Sequence, residues 1–338
     1  MKRIVKRGLT LCMLLFMLTA CAGGSPDINT DVPGAATSGS DGLTIVATIF
    51  PEYDWVMNIM GDRAQSADIT LLMDNGVDMH SFQPTAGDIL KISSCDLFIY
   101  VGGESDEWVE DALAEAVNKD MVVVNLMDVL GDRVKEEETV EGMETEDDHD
   151  DKSSGEETGP ENDEHVWLSL RNAEVLCDSI TDALCTVDSE GTDTYRANND
   201  KYQASLKSLD DDYSKAVDES PVRTLLFGDR FPFRYMTDDY ALDYYAAFAG
   251  CSAETEASFE TVIFLANKVD ELGLDAVMTI DGSDGKVART IIDNTSTRDQ
   301  EILMLNSMQG VTAQDIDSGT TYLSVMRSNL EVLEEALK

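Results

Sequence analysis

The chain carries three histidines, His80, His149 and His165, against 67 aspartates and glutamates. Imidazole nitrogens and carboxylate oxygens are the donors that hold divalent metals, so the question for each histidine is what fixes it in place. His80 lies in MDNGVDMHSFQPTAGD, after a turn at DNGVD and before a helix that begins at Pro84. Loops at the carboxyl ends of strands are where open α/β sheets bind ligands, yet alone His80 reads as a solvated loop residue. His165 lies in DEHVWLSL, where Val166, Trp167 and Leu168 would anchor a ring able to present one nitrogen to a metal. Alone it too reads as structural. His149, in EDDHDDK, has no apolar neighbours to order it, and its setting suits loose attraction of cations better than fixed ligation.

Three carboxylates stand where strands should end. Asp281 follows LDAVMT and precedes GSDGKVARTI; Asp229 follows RTLLF, in GDRFPFRY; Glu104 lies in VGGESDEW. Each suits a hard or borderline cation, and pairing with Arg230 is the bland alternative for Asp229 and Asp281. No single residue decides the matter. Together, the strand ends of both halves of the chain bring two histidines and several carboxylates toward one place.

The elements that must position these residues are legible as apolar runs alternating with helical segments. LTIVATIF, ADITLLM, DLFIYVGG and MVVVNLM read as strands in the first half; VRTLLFGD, ALDYYAAF, LDAVMTID and QEILMLN do so in the second. Helices are expected between them, among them PTAGDILKISSC and SDEWVEDALAEAVNK, the latter capped by Ser105 or Asp106. This rhythm predicts an α/β protein of two lobes, each a mostly parallel sheet flanked by helices. Residues 43–188 form the N-terminal lobe and 220–338 the C-terminal lobe, with 189–219 as one long connecting helix. Tyr195, Tyr202, Leu206, Leu209 and Tyr213 recur along it at helical spacing. Residues 136–164 are so acidic and so poor in apolar side chains that they are expected to form a mobile loop.

The formal charge of −43 argues against nucleic-acid binding, and 43% hydrophobic residues suffice for a large core. The N-terminus reads as a secretory signal over residues 1–20: basic MKRIVKR, a short apolar stretch, then LTAC. That ending resembles a bacterial lipobox, which implies lipidation of Cys21 and a membrane anchor. Residues 21–42 read as a flexible tether. Of the other cysteines, Cys95, Cys177, Cys185 and Cys251 form no C-x-x-C pair and read as buried free thiols, with a Cys177–Cys185 disulfide left open. There is no H-E-x-x-H helix or nucleophile motif, so catalysis is not expected. A surface zinc enzyme or an adhesin are the rival readings.

The stretches VDMHSFQPTAGD and DEHVWLSL together resemble motifs of the zinc/manganese solute-binding proteins of ABC transporters, the cluster A-I type. The first motif falls on Gly76, His80, Phe82, Pro84, Thr85 and Asp88, and the second on His165 to Leu168. The resemblance implies two α/β lobes joined by a long rigid helix, with the ion in the cleft. It implies metal ligation by His80 and His165, and a final carboxylate ligand at Asp281. It implies a monomeric, lipid-anchored extracytoplasmic receptor that passes a divalent ion to an ABC permease. The ion implied is Zn²⁺, or Mn²⁺ if more oxygen donors join. Many members carry a His-Asp pair where this chain reads Gly228-Asp229, so the third histidine is missing, and Asp229, Glu104 or water is expected to complete the site.

Overall fold

The computed structural model describes residues 42–144, 161–252 and 256–338. The signal segment, Cys21, the tether up to residue 41, His149 and the acidic stretch 145–160 lie outside the described residues.

The first lobe runs β1 (Thr44–Ala47), α1 (Phe50–Met60), β2 (Asp68–Leu71), α2 (Ala86–Ser94), β3 (Leu97–Tyr100), α3 (Trp108–Ala114), β4 (Val122–Asn125) and α4 (Leu126–Leu130). Its sheet has the order β2-β1-β3-β4, all parallel, with Ile45 beside Ile69 and Leu97. Two long helices follow, α5 (Leu170–Val187) and α6 (Thr192–Glu219). The second lobe runs β5 (Thr224–Phe231), α7 (Arg234–Tyr240), β6 (Asp243–Ala249), α8 (Phe259–Leu272), β7 (Ala276–Ile280), α9 (Lys286–Asn294), β8 (Glu301–Leu305), α10 (Ala313–Asp317) and α11 (Tyr322–Ala336). Its sheet, β6-β5-β7-β8, is again parallel and repeats the strand order of the first. The two-lobed α/β architecture expected from the alternating runs is the one formed.

The central helix α6 has 28 residues, a length of about 42 Å at 1.5 Å per residue. Tyr195, Tyr202, Leu206, Leu209, Tyr213 and Val217 form its buried stripe. One apolar core runs from Ile45 and Leu97 in the first sheet, through α5 and α6, to Phe227 and Met278 in the second. The lobes are therefore joined by packed side chains, beyond the connecting helix alone.

Local boundaries differ from the sequence reading where side chains are drawn into other work. LTIVATIF stops being a strand at Ala47, because α1 starts at Phe50 with Pro51 in its first turn. There the Glu52 carboxylate accepts from the backbone N–H groups of Thr48 and Ile49, at 2.8 and 3.2 Å. Pro84 does not open α2. Thr85 caps it, in a reciprocal pairing with Asp88. MVVVNLM is strand only to Asn125, whose side chain caps α4 by accepting from the Asp128 N–H. Ser105 and Asp106 do not cap α3, which Glu107 precedes without a side-chain bond. The four described cysteines outside the leader are free. Cys177 and Cys185 stand eight positions apart on α5, about 12 Å along the axis, too far for the disulfide left open above. No helix among the described residues is long and apolar enough to cross a membrane.

Candidate metal centre

His80 stands in a short 3₁₀ turn, Met79–Ser81, between β2 and α2. Buried Met79 anchors the turn, and the Asp78 carboxylate accepts the His80 N–H at 3.0 Å. The rest of this loop is fastened to the second lobe. Asn75 bridges Thr312, the Ala313 N–H donates to the Asp74 carbonyl at 2.7 Å, and Arg230 Nη2 meets Asp78 Oδ2 at 2.6 Å.

His165 is fully buried and leads into the 3₁₀ turn Val166–Leu168. That turn is locked by Trp167, whose indole N–H donates to the Ser307 carbonyl at 2.9 Å, while the Tyr322 hydroxyl donates to the Trp167 carbonyl at 2.7 Å. The apolar neighbours read from the sequence as an anchor do serve as one.

The two rings face each other, with Nε2 atoms 3.3 Å apart. Their other nitrogens determine what lies between. Asp163 Oδ1 stands 3.0 Å from His165 Nδ1, and a carboxylate can only accept, so the His165 proton sits on Nδ1. Ser105 Oγ stands 2.8 Å from His80 Nδ1 and 2.5 Å from Glu164 Oε2. The serine donates to the carboxylate, so it accepts from His80 Nδ1. Glu164 is held in the pocket despite burial, because His80 and Ser105 bond to it and keep its carboxyl below the usual range. As neutral rings the two histidines then turn their Nε2 lone pairs toward one another. A cation between them resolves the conflict. Two nitrogens each 2.0–2.1 Å from a tetrahedral zinc are about 3.3–3.4 Å apart, which is the separation found.

A third candidate donor is Cys251, just past β6. One ring nitrogen of His80, one of His165 and the thiol sulfur lie within 4.8 Å of one another, and among the described residues no carboxylate joins this group. The Cys251 N–H donates to Glu137 Oε1 at 2.9 Å. Gly250 lets the segment close on the histidine, since a Cβ there would stand 3.2 Å from His165 Cε1 and 2.9 Å from the Phe231 carbonyl. Burial, with the Glu137, Asp163 and Glu164 carboxylates nearby, pushes the thiol well above its ordinary range. The sequence reading took Cys251 for a bland thiol. The signal it missed was a glycine-cysteine pair at the carboxyl end of a buried strand.

The expected carboxylates stand apart from this trio. His80, Asp229, Arg230, Cys251, Asp281 and Gln309 line one cleft of about 700 Å³. Asp281 has both oxygens engaged: Oδ1 accepts from the Ser307 N–H and hydroxyl at 2.5 and 2.7 Å, and Oδ2 from the Gly310 N–H at 3.1 Å. It braces the loop after β8. Asp229 lies in the β-bulge where β5 shifts register against β6; its Oδ1 accepts from the Arg230 N–H, and its Oδ2 is buried without a partner. Glu104 is exposed and is not part of the cleft lining. Its neighbour Ser105 is the residue that reaches His80. Gly228, at the place of the missing histidine, packs against α9 so closely that a Cβ would fall 2.5 Å from Ala288 Cα.

The family described as the periplasmic zinc-uptake complex component A, ZnuA, matches residues 45–336. The chain is 28% identical over 295 residues to the zinc-binding protein AdcA of Streptococcus pyogenes serotype M3, covering 86% of this chain and 55% of AdcA. It thus spans about half the length of the AdcA relatives it matches. It is 27% identical over 333 residues to the high-affinity zinc uptake system protein ZnuA of Bacillus subtilis, covering 98% of this chain and 97% of that one. In fold it is similar to the crystal structure of the Zn(II)-bound ZnuA-like domain of Streptococcus pneumoniae AdcA. The TM-score is 0.67 and the identity 24%, over 88% of this chain and 99% of that domain.

Proposed function

The chain belongs to the family of the periplasmic zinc-uptake component ZnuA, and on that premise we propose that it is an extracytoplasmic receptor that captures Zn²⁺ in its interlobe cleft and delivers it to an ABC permease. The observation that carries this reading is the pair of Nε2 atoms held 3.3 Å apart by partners on their Nδ1 sides. Such a pair serves binding and release, and needs no catalytic group. The names of the relatives, zinc-binding and zinc-uptake proteins, support zinc as the cargo.

In this reading His80 and His165 are ligands. Asp229, which lines the cleft, meets the ion through a water. Asp281 shapes the wall from the second lobe and stays bonded to Ser307 and Gly310. The LTAC segment supports a lipid on Cys21 that keeps the receptor, a monomer, at the membrane surface beside its permease.

The test is isothermal titration of the soluble chain with zinc, comparing wild type with His80→Ala and His165→Ala. Each variant should lose at least about a hundredfold in affinity, since removing either ring leaves one imidazole in place of a chelating pair. Unchanged affinity in both would contradict the assignment.

A further inference from the structure

We infer that Cys251 takes the place of the absent third histidine: its sulfur, as thiolate, is the second lobe's direct donor to the metal, and it makes the cleft selective for thiophilic ions such as Zn²⁺ over Mn²⁺. This rests on the receptor reading above and goes beyond it in naming the donor set and its preference.

Four observations carry it. First, the sulfur shares a 4.8 Å group with a ring nitrogen of each histidine, and no other cysteine or carboxylate among the described residues does. Second, three of the nearby acids are committed elsewhere. Asp163 and Glu164 hold the Nδ1 sides of the rings, and Asp281 holds the loop after β8. Third, a histidine at position 228 has no room, because any side chain there meets the Ala288 backbone. The donor from this lobe has to come from another strand end, and residue 251 follows the neighbouring strand β6. Fourth, the position is built. Glu137 holds the Cys251 N–H, and Gly250 admits the segment to within contact of the His165 ring.

Without Cys251 both direct donors would come from the first lobe, and only the water on Asp229 would join the ion to the second. With it the ion is clasped between β2 and β6. The S–H proton leaves to solvent as the metal–sulfur bond forms, so a neutral thiol in the free protein is no obstacle. Thiolate sulfur favours zinc and cobalt, whereas manganese prefers oxygen donors. A His₂Cys set with one position open to water therefore suits zinc in tetrahedral geometry.

The experiment loads the soluble chain with Co²⁺ as a spectroscopic stand-in for zinc, and separately measures zinc and manganese affinities. Wild type should show a sulfur-to-cobalt charge-transfer band in the near ultraviolet. Cys251→Ser should lose the band, and Cys185→Ser should keep it. In Cys251→Ser the ratio of zinc to manganese affinity should fall at least about tenfold, the loss that removing even a supporting partner of a ligand brings. The cobalt band of wild type needs no variant, so a poorly folding substitution does not blunt the test. A wild type that binds zinc but shows no band, or a band that persists in Cys251→Ser, or an unchanged metal ratio, overturns the role of Cys251 and leaves the receptor reading standing. A wild type that binds no zinc overturns the receptor reading itself.

Discussion

His80 and His165 present Nε2 to Nε2 across 3.3 Å, one ring held by Ser105 and the other by Asp163. The two residues are 85 positions apart in sequence, yet neither ring is free to turn away. A site pre-formed in this way binds without first ordering its ligands, and its supporting partners should matter nearly as much as the histidines.

That expectation is tested at Ser105 and Asp163. Ser105→Ala removes the acceptor for His80 Nδ1 and the link to Glu164, and should weaken zinc binding about tenfold. Asp163→Ala removes both bonds to His165, backbone and ring, and should weaken it about 10–100-fold. Titration against a competing chelator, with circular dichroism to check the fold, measures both. Wild-type affinity in the two variants would mean that the tautomers are not set by these partners.

Restoring the family's third histidine should not restore a family site. Gly228→His places a Cβ 2.5 Å from Ala288 Cα, so α9 must shift. Overpacking of this kind costs about 1–3 kcal/mol, visible as a lower denaturant midpoint, with no gain in zinc affinity. A stable variant that binds zinc more tightly would show that the cleft tolerates the exchange.

Asp78 does two things at once. Its Oδ1 caps the His80 N–H, and its Oδ2 pairs with Arg230 across the cleft, with both side chains about a quarter exposed or less. Asp78→Ala should speed zinc release several-fold in stopped-flow measurements and cost about 1–2 kcal/mol of stability. Arg230→Ala, which leaves the cap in place, should give a smaller effect on both. Equal effects would locate the role in the cross-lobe pair alone.

A separate prediction concerns pH. Burial, reinforced by Asp106, lifts the Glu52 carboxyl to about 8, although the Ile49 and Thr48 N–H groups oppose the rise. Its Oε1 has no partner, as suits a carboxyl that keeps its proton. A carboxyl whose folded value is raised binds its proton more tightly folded than unfolded. Its contribution to stability is thus fully present below about 4.5 and is lost as pH rises through about 8. Asp54 and Asp106, both lifted to about 6 by burial, act in the same direction over a lower range. Unfolding free energy should therefore decline from pH 4.5 to 8, with Glu52 contributing on the order of 4 kcal/mol. Glu52→Gln should flatten the upper half of that decline in chemical denaturation curves. An identical slope in the variant would contradict the account of Glu52.

Much of the fold was legible because parallel strands covered on both faces leave continuous apolar runs, as in DLFIY and AVMTI, and because the Tyr195–Tyr213 stripe spells a helix. The histidines were legible through their motifs. What the sequence hid depends on which strand ends become neighbours. Cys251 approaches His165 only because β6 takes the edge beside β5, and strand order leaves no local signature. Ser105 and Asp106 misled for a related reason. As polar residues ahead of a helix they read as caps, but one is spent on His80 and Glu164 and the other accepts from the Gly102 N–H. Asp281 has the residue type and position of a ligand, and only its three bonds to Ser307 and Gly310 mark it as a brace.

The central claim is a zinc ion between the two imidazoles, and anomalous diffraction at the zinc absorption edge from crystals of the zinc-loaded chain tests it most directly. The predicted result is one strong peak about 2.0–2.1 Å from both His80 Nε2 and His165 Nε2. A zinc-loaded protein whose anomalous peaks all lie elsewhere, for instance on exposed carboxylates, would contradict it.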